Sequence, residues 1–316
     1  MELTIENRRQ AWNSYWLSGL VHSCLGKFVE SPDSAINQFW HAQFAKLTAG
    51  KRVLDLATGN GALPKLLLNE IKNIQIDAVD LAQIAPPWLS AENQHNVRFH
   101  SGVNMEMLPF SAEEFDLVIS QFGLEYANWP QALDDAARVC KHSGSFAFVM
   151  HHADSLILQL AKVELQHQQS LLASDGLLEM AKALLPKLAT IQAGAAPDAT
   201  AEQARKNYND ALHKVAKSIE QSDVPDLLIE SREHIHTILS GRLGAELAQR
   251  ISLLKSYTQA IRFAELRTTE LLACALDQEK VNTLLAALRV SKPNAVMDCQ
   301  VLAENEGILA WGISIY

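Results

Sequence analysis

The stretch Val53-Leu54-Asp55-Leu56-Ala57-Thr58-Gly59-Asn60-Gly61-Ala62 most constrains what this chain can fold into. Its opening run is short and largely apolar, as expected of a strand covered on both faces by helices. The run enters a glycine turn and then a leucine-rich helix, with Pro64 in the first turn, where a missing N–H costs little. Gly59 and Gly61 permit positive φ, and they carry no side chain that would keep backbone N–H groups away from a ligand. A second apolar run begins at Ile74 and closes on Asp80, nineteen residues after Gly61. A carboxylate at the tip of a second strand can accept both hydroxyls of a ribose. Together these features describe a site for an adenosine-containing cofactor.

The turn also bears on which cofactor. Pro64 stands where the dinucleotide fingerprint has its third glycine, and this counts against NAD or FAD. The segment Asp-Leu-Ala-Thr-Gly-Asn-Gly, residues 55–61, resembles the first motif of class I S-adenosylmethionine-dependent methyltransferases, of the type 11 and 12 kind. Three further stretches follow in the family's order, the last being the helix opened by Trp129-Pro130 and the strand Ser145 to His151. Asn104-Met105-Glu106-Met107-Leu108-Pro109-Phe110, then Phe115 to Ser120, resembles its Asp-Ala-x-x-Leu-Pro-Phe segment and fourth strand, with Asn104 where Asp is usual. Gln121-Phe122-Gly123-Leu124-Glu125-Tyr126 holds the position of the fourth motif. The resemblance covers about residues 50 to 152, and the last twenty residues more weakly.

What it implies is S-adenosylmethionine as cofactor and S-adenosylhomocysteine as product. The cofactor residues by this resemblance are Asp55, Ala57, Gly59, Gly61, Asp80, Leu81, Asn104, Met105 and Gln121. The Asn104 amide oxygen is expected to accept from the adenine N6 amine. The aromatic N-terminal segment either caps the sheet or brings its Tyr15-Trp16 pair over the pocket, as N-terminal helices do in many such enzymes, with Trp16 then a cofactor residue.

Strands are expected near 51–57, 74–80, 97–100, 115–120 and 145–151, separated by helical segments, which gives right-handed crossovers and a parallel sheet. Ligands bind at the carboxyl ends of such strands, where Gly59, Asp80, Asn104 and Gln121 fall. Val296 to Asn305 and Ile308 to Tyr316 read as a hairpin around Glu306-Gly307, resembling the antiparallel strands that close the methyltransferase sheet. The expected fold is therefore α/β: Rossmann-like, doubly wound, a mostly parallel seven-stranded sheet with an antiparallel C-terminal hairpin and a helical insertion. Residues 1–48 read as a helical cap, broken into two helices at Ser31-Pro32-Asp33-Ser34 with Asp33 or Ser34 as N-cap. Residues 49–152 read as the cofactor-binding core, with a helix from Trp129 ending at Lys141 to Gly144, and 291–316 as the hairpin completing its sheet. Residues 153–290, rich in Ala, Leu, Gln, Glu and Lys, read as helices punctuated at Asp175-Gly176, Pro186, Gly194 to Pro197, Pro225 and Gly241. That block is either a lid over a small substrate or a surface for homodimerisation.

A formal charge of −9 argues against a nucleic-acid footprint and against tethering to an acidic membrane surface. Arg8-Arg9 and Lys51-Arg52 read as solvated pairs. Cys24, Cys140, Cys274 and Cys299 lack metal or redox spacing and read as free thiols. With no apolar run of membrane length and no secretory signal, the expected location is the cytoplasm.

Methyl transfer from a sulfonium needs in-line approach, exclusion of water and, for a protonated acceptor, a base. Neither Asn-Pro-Pro-Tyr nor Asp-Pro-Pro-Tyr follows the fourth strand. Glu125 is a candidate base or anchor for a polar substrate, or else a solvated carboxylate at a helix start. His151, at the end of strand five beside His152, is a candidate base at the pocket rim, or else a structural hydrogen-bonding group. His234 and His236 diverge on a helix, so no metal site is expected. The expected reaction is methyl transfer to a small-molecule acceptor. Alternatives are a protein or RNA acceptor, a non-catalytic module that binds the cofactor or its product, and an NAD-dependent oxidoreductase, which Pro64 and the terminal hairpin oppose.

Overall fold

A computed structural model describes residues 4–21, 31, 33–90, 92–241 and 246–316. Cys24, Phe28 and Pro32 lie outside them. Two compact units are present: Thr4–Gln159 with Glu270–Tyr316, and Leu160–Thr269.

The first unit is built on seven strands: β1 (Arg52–Leu56), β2 (Gln75–Asp80), β3 (Val97–Ser101), β4 (Phe115–Gln121), β5 (Cys140–His151), β6 (Met297–Glu304) and β7 (Gly307–Ile315). Their order is β3-β2-β1-β4-β5-β7-β6. The first five are parallel, and β7 runs antiparallel to both β5 and β6. The doubly wound sheet and its terminal hairpin are thus as the sequence implies. Helices of this unit are α1 (Ile5–Trp16), α2 (Ala35–Phe44), α3 (Ala62–Glu70) and α4 (Trp129–Val139). Ser34 is the N-cap of α2, its hydroxyl accepting from the Asn37 N–H.

Successive strand residues point to opposite faces, and both faces are dry. Val53, Ile76, Leu117, Ile119 and Val149 pack on one side with Phe39, Trp40 and Phe44 of α2 and Leu63 and Leu67 of α3. Leu54, Leu56, Val118, Phe146 and Phe148 pack on the other with Leu133 and Ala136 of α4. At the strand starts, the Lys51-Arg52 pair is tied down rather than merely solvated. Lys51 Nζ donates to Asp116 over 2.9 Å, and Arg52 donates to Asp77 over 2.7 Å and to Glu114. Buried Asp77 also meets His100 Nε2 at 2.9 Å.

The helix from Trp129 stops at Val139, and β5 begins five residues before the expected start. The reason is a register shift between β4 and β5: Phe115 pairs with Cys140, whereas Leu117 pairs with Ser145, so the extra residues lie on β5. The intervening residues bulge without leaving the strand.

The second unit holds α6 (Leu177–Gln192), α7 (Ala199–Gln221), α8 (Asp226–Ser240) and most of α5 (Leu156–Leu172) and α9 (Leu247–Cys274). Its own core includes Leu177, Leu185, Tyr208, Ile235, Ile238 and Ile261. Pro186 does not interrupt it. The residue lies inside α6, where buried Leu184 and Leu185 offset the one backbone hydrogen bond that proline removes. Gly241 ends α8 in a left-handed conformation, and Arg250 donates to the last carbonyls, Ile238 O and Leu239 O. His234, on the exposed face of α8, packs on the half-buried Tyr257 ring at 4.3 Å.

The insertion is narrower than 153–290. The chain re-enters the sheet unit at Glu270, and α10 (Gln278–Ser291) belongs to the sheet, burying Val281, Leu284 and Leu288 in the same cluster as Phe146 and Leu133. Leu284 is fully buried there. Leu284→Ala is expected to cost the sheet unit about 2–5 kcal/mol in denaturant unfolding. A loss below about 1 kcal/mol would contradict the packing described.

Candidate functional site

The turn after β1 contains three left-handed residues, Ala57 (φ 53°), Gly59 (φ 53°) and Gly61 (φ 76°), and Phe122 after β4 is a fourth (φ 55°). For Ala57 and Phe122 that conformation is strained, and both line one cleft at the carboxyl ends of the strands. The two tips touch: a Cβ added at Gly123 would lie 2.4 Å from the Ala57 Cβ.

The glycines serve a different purpose from presenting bare N–H groups. The Gly59 N–H donates to Asp80 Oδ2 over 2.8 Å, and the Gly61 N–H donates to the Thr58 carbonyl over 3.0 Å. What the missing side chains admit is aromatic rings. A Cβ at Gly59 would lie 2.5 Å from the Trp16 indole, and one at Gly61 would lie 2.7 Å from Phe99 and 2.9 Å from Trp88. Neither glycine lines the cleft, whereas Asp55, Ala57, Asp80, Leu81, Met105 and Trp16 do.

Trp16 lies on the turn because Asn60 holds it there. Asn60, fully buried between the glycines, donates from Nδ2 to the Trp16 carbonyl over 2.8 Å and to the Leu20 carbonyl over 2.6 Å. Its own carbonyl accepts from the Trp88 indole N–H over 2.7 Å. The sequence reading missed this residue, although a short amide side chain between two glycines is the available signal. Trp12 stacks on Trp16 at 5.8 Å and meets Tyr126 edge-on at 6.0 Å, which continues the aromatic wall.

Asp80 accepts the Ala82 N–H at Oδ1 over 2.8 Å in addition to the Gly59 N–H at Oδ2. Burial pushes its carboxyl up to about 6, against the pull of those two N–H groups. Asp55 is pushed further, to about 8, by burial and in small part by the Asp80 charge, with Thr58 opposing. At the next strand tips, two polar side chains are partly engaged. The Asn104 Oδ1 expected to meet adenine already accepts from the Glu106 N–H over 3.0 Å, in a local turn. Gln121 Oε1 accepts from the Trp40 indole over 2.6 Å, which turns the amide NH2 into the group it has left to offer. Both residues line the cleft.

Glu125 and His151 do not. Both side chains are almost fully buried, at 0% and 1% exposure, with the His151 N–H donating to Glu125 Oε1 over 2.8 Å. Phe122 stacks on the His151 ring at 4.3 Å, so a cleft-lining aromatic stands in front of the imidazole. Burial drives His151 down to about 3 and Glu125 up to about 7. The rim position expected of them is therefore not where they are. Glu125 is not a solvated carboxylate either, because the short helical turn Leu124–Tyr126 folds it inward. His152 takes the opposite side, stacking on Trp311 at 4.4 Å and accepting the Asp154 N–H at Nδ1.

Arg8 and Arg9 separate in the same way. Arg9 pairs with Glu6 on the exposed face of α1. Arg8 lines the cleft and pairs with Glu270, 262 residues away in sequence. No local pattern reveals such a pair.

Two outcomes follow from this geometry. Asn60→Ala is expected to free the α1 end, raising hydrogen exchange over residues 12–20 in the unliganded protein; unchanged exchange in the folded variant would contradict the anchoring role. For pH, Asp55 is harder to ionise folded than unfolded, so its contribution is full below about pH 4 and is lost as pH rises through about 8. Asp55→Asn should therefore raise the unfolding temperature above that of the unsubstituted protein at about pH 9 and give no gain at about pH 4. A gain that is independent of pH would contradict it.

Residues 53–144 match a family described as a methyltransferase domain. Over 114 residues the chain is 30% identical to a malonyl-[acyl-carrier protein] O-methyltransferase of Halorhodospira halophila, covering 34% of this chain and 37% of that protein. Over 123 residues it is 25% identical to a protein of the same name from a Paenibacillus species, covering 37% and 45%. Among solved structures it is similar to the YcgJ protein of Bacillus subtilis, at 24% identity and a TM-score of 0.34, covering 42% of this chain and 59% of that one. The chain spans less than half the length of the curated relatives it matches. Among the described residues, no helix is long and apolar enough to cross a membrane. Motif order, strand order and the matched stretch together make residues 53–144 of this chain similar to a methyltransferase domain.

Proposed function

We propose that this protein transfers a methyl group from S-adenosylmethionine to a small-molecule acceptor held in the cleft at the strand ends. The observation that carries this is convergence: Ala57 after β1, Asp80 on β2, Asn104 after β3 and Gln121 on β4 all line one cleft. Asp80 has the chemistry to hold a ribose, because each carboxylate oxygen takes one backbone N–H and keeps a further lone pair for a hydroxyl. Asn104 and Met105 flank the adenine in this reading, and Leu81 lies beside the ribose. Ala57, Asp55, Thr58 and Gln121 surround the methionine arm in this reading, with Trp16 above it.

When bound, S-adenosylmethionine supplies an electrophilic methyl group on a sulfonium. The chain's own work is then to orient and to exclude water. Trp12, Trp16, Phe122 and Tyr126 wall the cleft and lower its polarity. Glu125 and His151 lie behind Phe122, so they support that wall and do not meet the acceptor. The names of the curated relatives place their methyl group on the oxygen of a carrier-bound malonyl group. An acyl acid is accordingly the first acceptor to try here.

Calorimetric titration with S-adenosylhomocysteine should show saturable binding near one per chain. Asp80→Ala should weaken it by about 1–3 kcal/mol, as expected for a lost hydrogen bond to a charged group. Unaltered affinity in the folded variant would remove Asp80 from the site, and no binding by the unsubstituted protein would remove the function. Transfer of labelled methyl to protein or RNA, with none to small acids, alcohols or amines, would favour a macromolecular acceptor.

A further inference from the structure

Arg8 is the sole Lys or Arg among the described residues lining the cleft, and its side chain is 30% exposed. A guanidinium presents two edges that match a carboxylate, one through Nε and Nη2 and the other through Nη1 and Nη2. Glu270 takes the first edge with a single oxygen, Oε1, which accepts from Nε and lies against Nη2. The Glu270 side chain is only 3% exposed, so it grips the guanidinium from the protein interior. Nη1 has no acceptor among the described residues. The second edge is therefore held in place and unused.

The cleft wall near it is apolar and aromatic, including Ile5 and Trp12 from the same helix and Tyr126 and Ala127 from after β4. Low polarity strengthens any charge contact made there. Arg8 also precedes Trp16, the residue lying on the glycine turn, by about 12 Å of helix. It is thus displaced along α1 from the expected seat of the cofactor.

We propose that Arg8, aimed by Glu270, selects a carboxylate on the methyl acceptor, and that this carboxylate is the group methylated; the proposal rests on the methyltransferase reading above. A carboxylate is ionised at neutral pH and needs no base, which suits a cleft whose neighbouring imidazole lies behind Phe122. One carboxylate oxygen forms a bond to the methyl carbon as the carbon–sulfur bond breaks. The sulfur keeps the electron pair and becomes the neutral thioether of S-adenosylhomocysteine. The product is a neutral ester and no proton is moved. Having lost its charge, the ester loses the contact to Arg8 that held the acid, and release follows. Glu270 is a positioning residue, acting only through Arg8.

The test uses the full chain with labelled S-adenosylmethionine and a matched acceptor series: monoethyl malonate, octanoate and benzoate, each with its primary amide and the corresponding amine. Acids should be methylated in preference to amides and amines. Arg8→Gln should raise KM for the acid about tenfold or more with a smaller change in kcat, and leave S-adenosylhomocysteine affinity within about twofold. Glu270→Gln should act in the same direction more weakly. Arg8→Lys, which keeps the charge and loses the two-point edge, should fall between and serves if the glutamine variant does not fold.

Reaction of amides or amines in preference to acids, or no reaction of any acid, overturns the proposal. So does an unchanged KM in folded Arg8→Gln. Loss of S-adenosylhomocysteine affinity in that variant overturns it too, by assigning Arg8 to the cofactor's own carboxylate. Failure of the unsubstituted protein to bind S-adenosylhomocysteine is a different result, which removes the methyltransferase reading itself.

Discussion

The hydrogen bonds from Gly59 N–H and Ala82 N–H to the two oxygens of Asp80 are the contact on which the rest of this site depends. They join the loop after β1 to the loop after β2 across one buried carboxylate. With the glycine turn fixed, its flat faces become seats for Trp16 on one side and for Trp88 and Phe99 on the other. Asn60, in the middle of that turn, then has its amide directed at the end of α1. The cleft owes its shape to these linked contacts of turn, rings and helix. Burial of Asp80 is unfavourable to its ionised form, and the two N–H donors offset part of that cost. A ligand hydroxyl would offset more.

Much of this was legible in the sequence because it is local. Glycines at 59 and 61, an acidic residue after the second apolar run, and alternating strands and helices each reflect short-range backbone requirements. They survive folding unchanged, and so does the hairpin around Gly307. What was not legible depends on distant partners. Nothing near Arg8 in sequence distinguishes it from Arg9, and only the return of the chain at Glu270 draws one inward while the other stays with Glu6. Glu125 and His151 illustrate the converse. Each stands at a strand end, where an exposed site residue is a fair expectation, but the short helical turn after β4 and the ring of Phe122 place them one layer deeper. The misplaced insertion boundary has the same origin: α10 carries an ordinary amphipathic pattern, and only its packing on Phe146 and Leu133 shows that it belongs to the sheet.

The helical unit has a core of its own and a buried arginine capping one of its helices, so it is a folded body and not a loose excursion. The sheet unit in turn contains every residue that lines the cleft. Cleft and insertion are thus separate in residue content. Of four non-glycine residues in left-handed conformations among the described residues, Ala57 and Phe122 lie at adjoining strand tips and line the cleft, whereas Asn73 and Glu113 do not. Conformations of that kind persist only where their surroundings dictate them, here the Ala57–Gly123 contact and the hydrogen bond from the Phe122 N–H to the Val149 carbonyl.

The central claim is that S-adenosylmethionine sits across the tips of β1 to β4 beneath Trp16. Hydrogen exchange of the full chain, with and without saturating S-adenosylhomocysteine, tests it most directly. Protection is expected over residues 55–62, 80–85 and 103–107, and over 12–20 as α1 is held down. Protection confined to 177–240, or its absence over 55–62 with the ligand bound, would contradict the account.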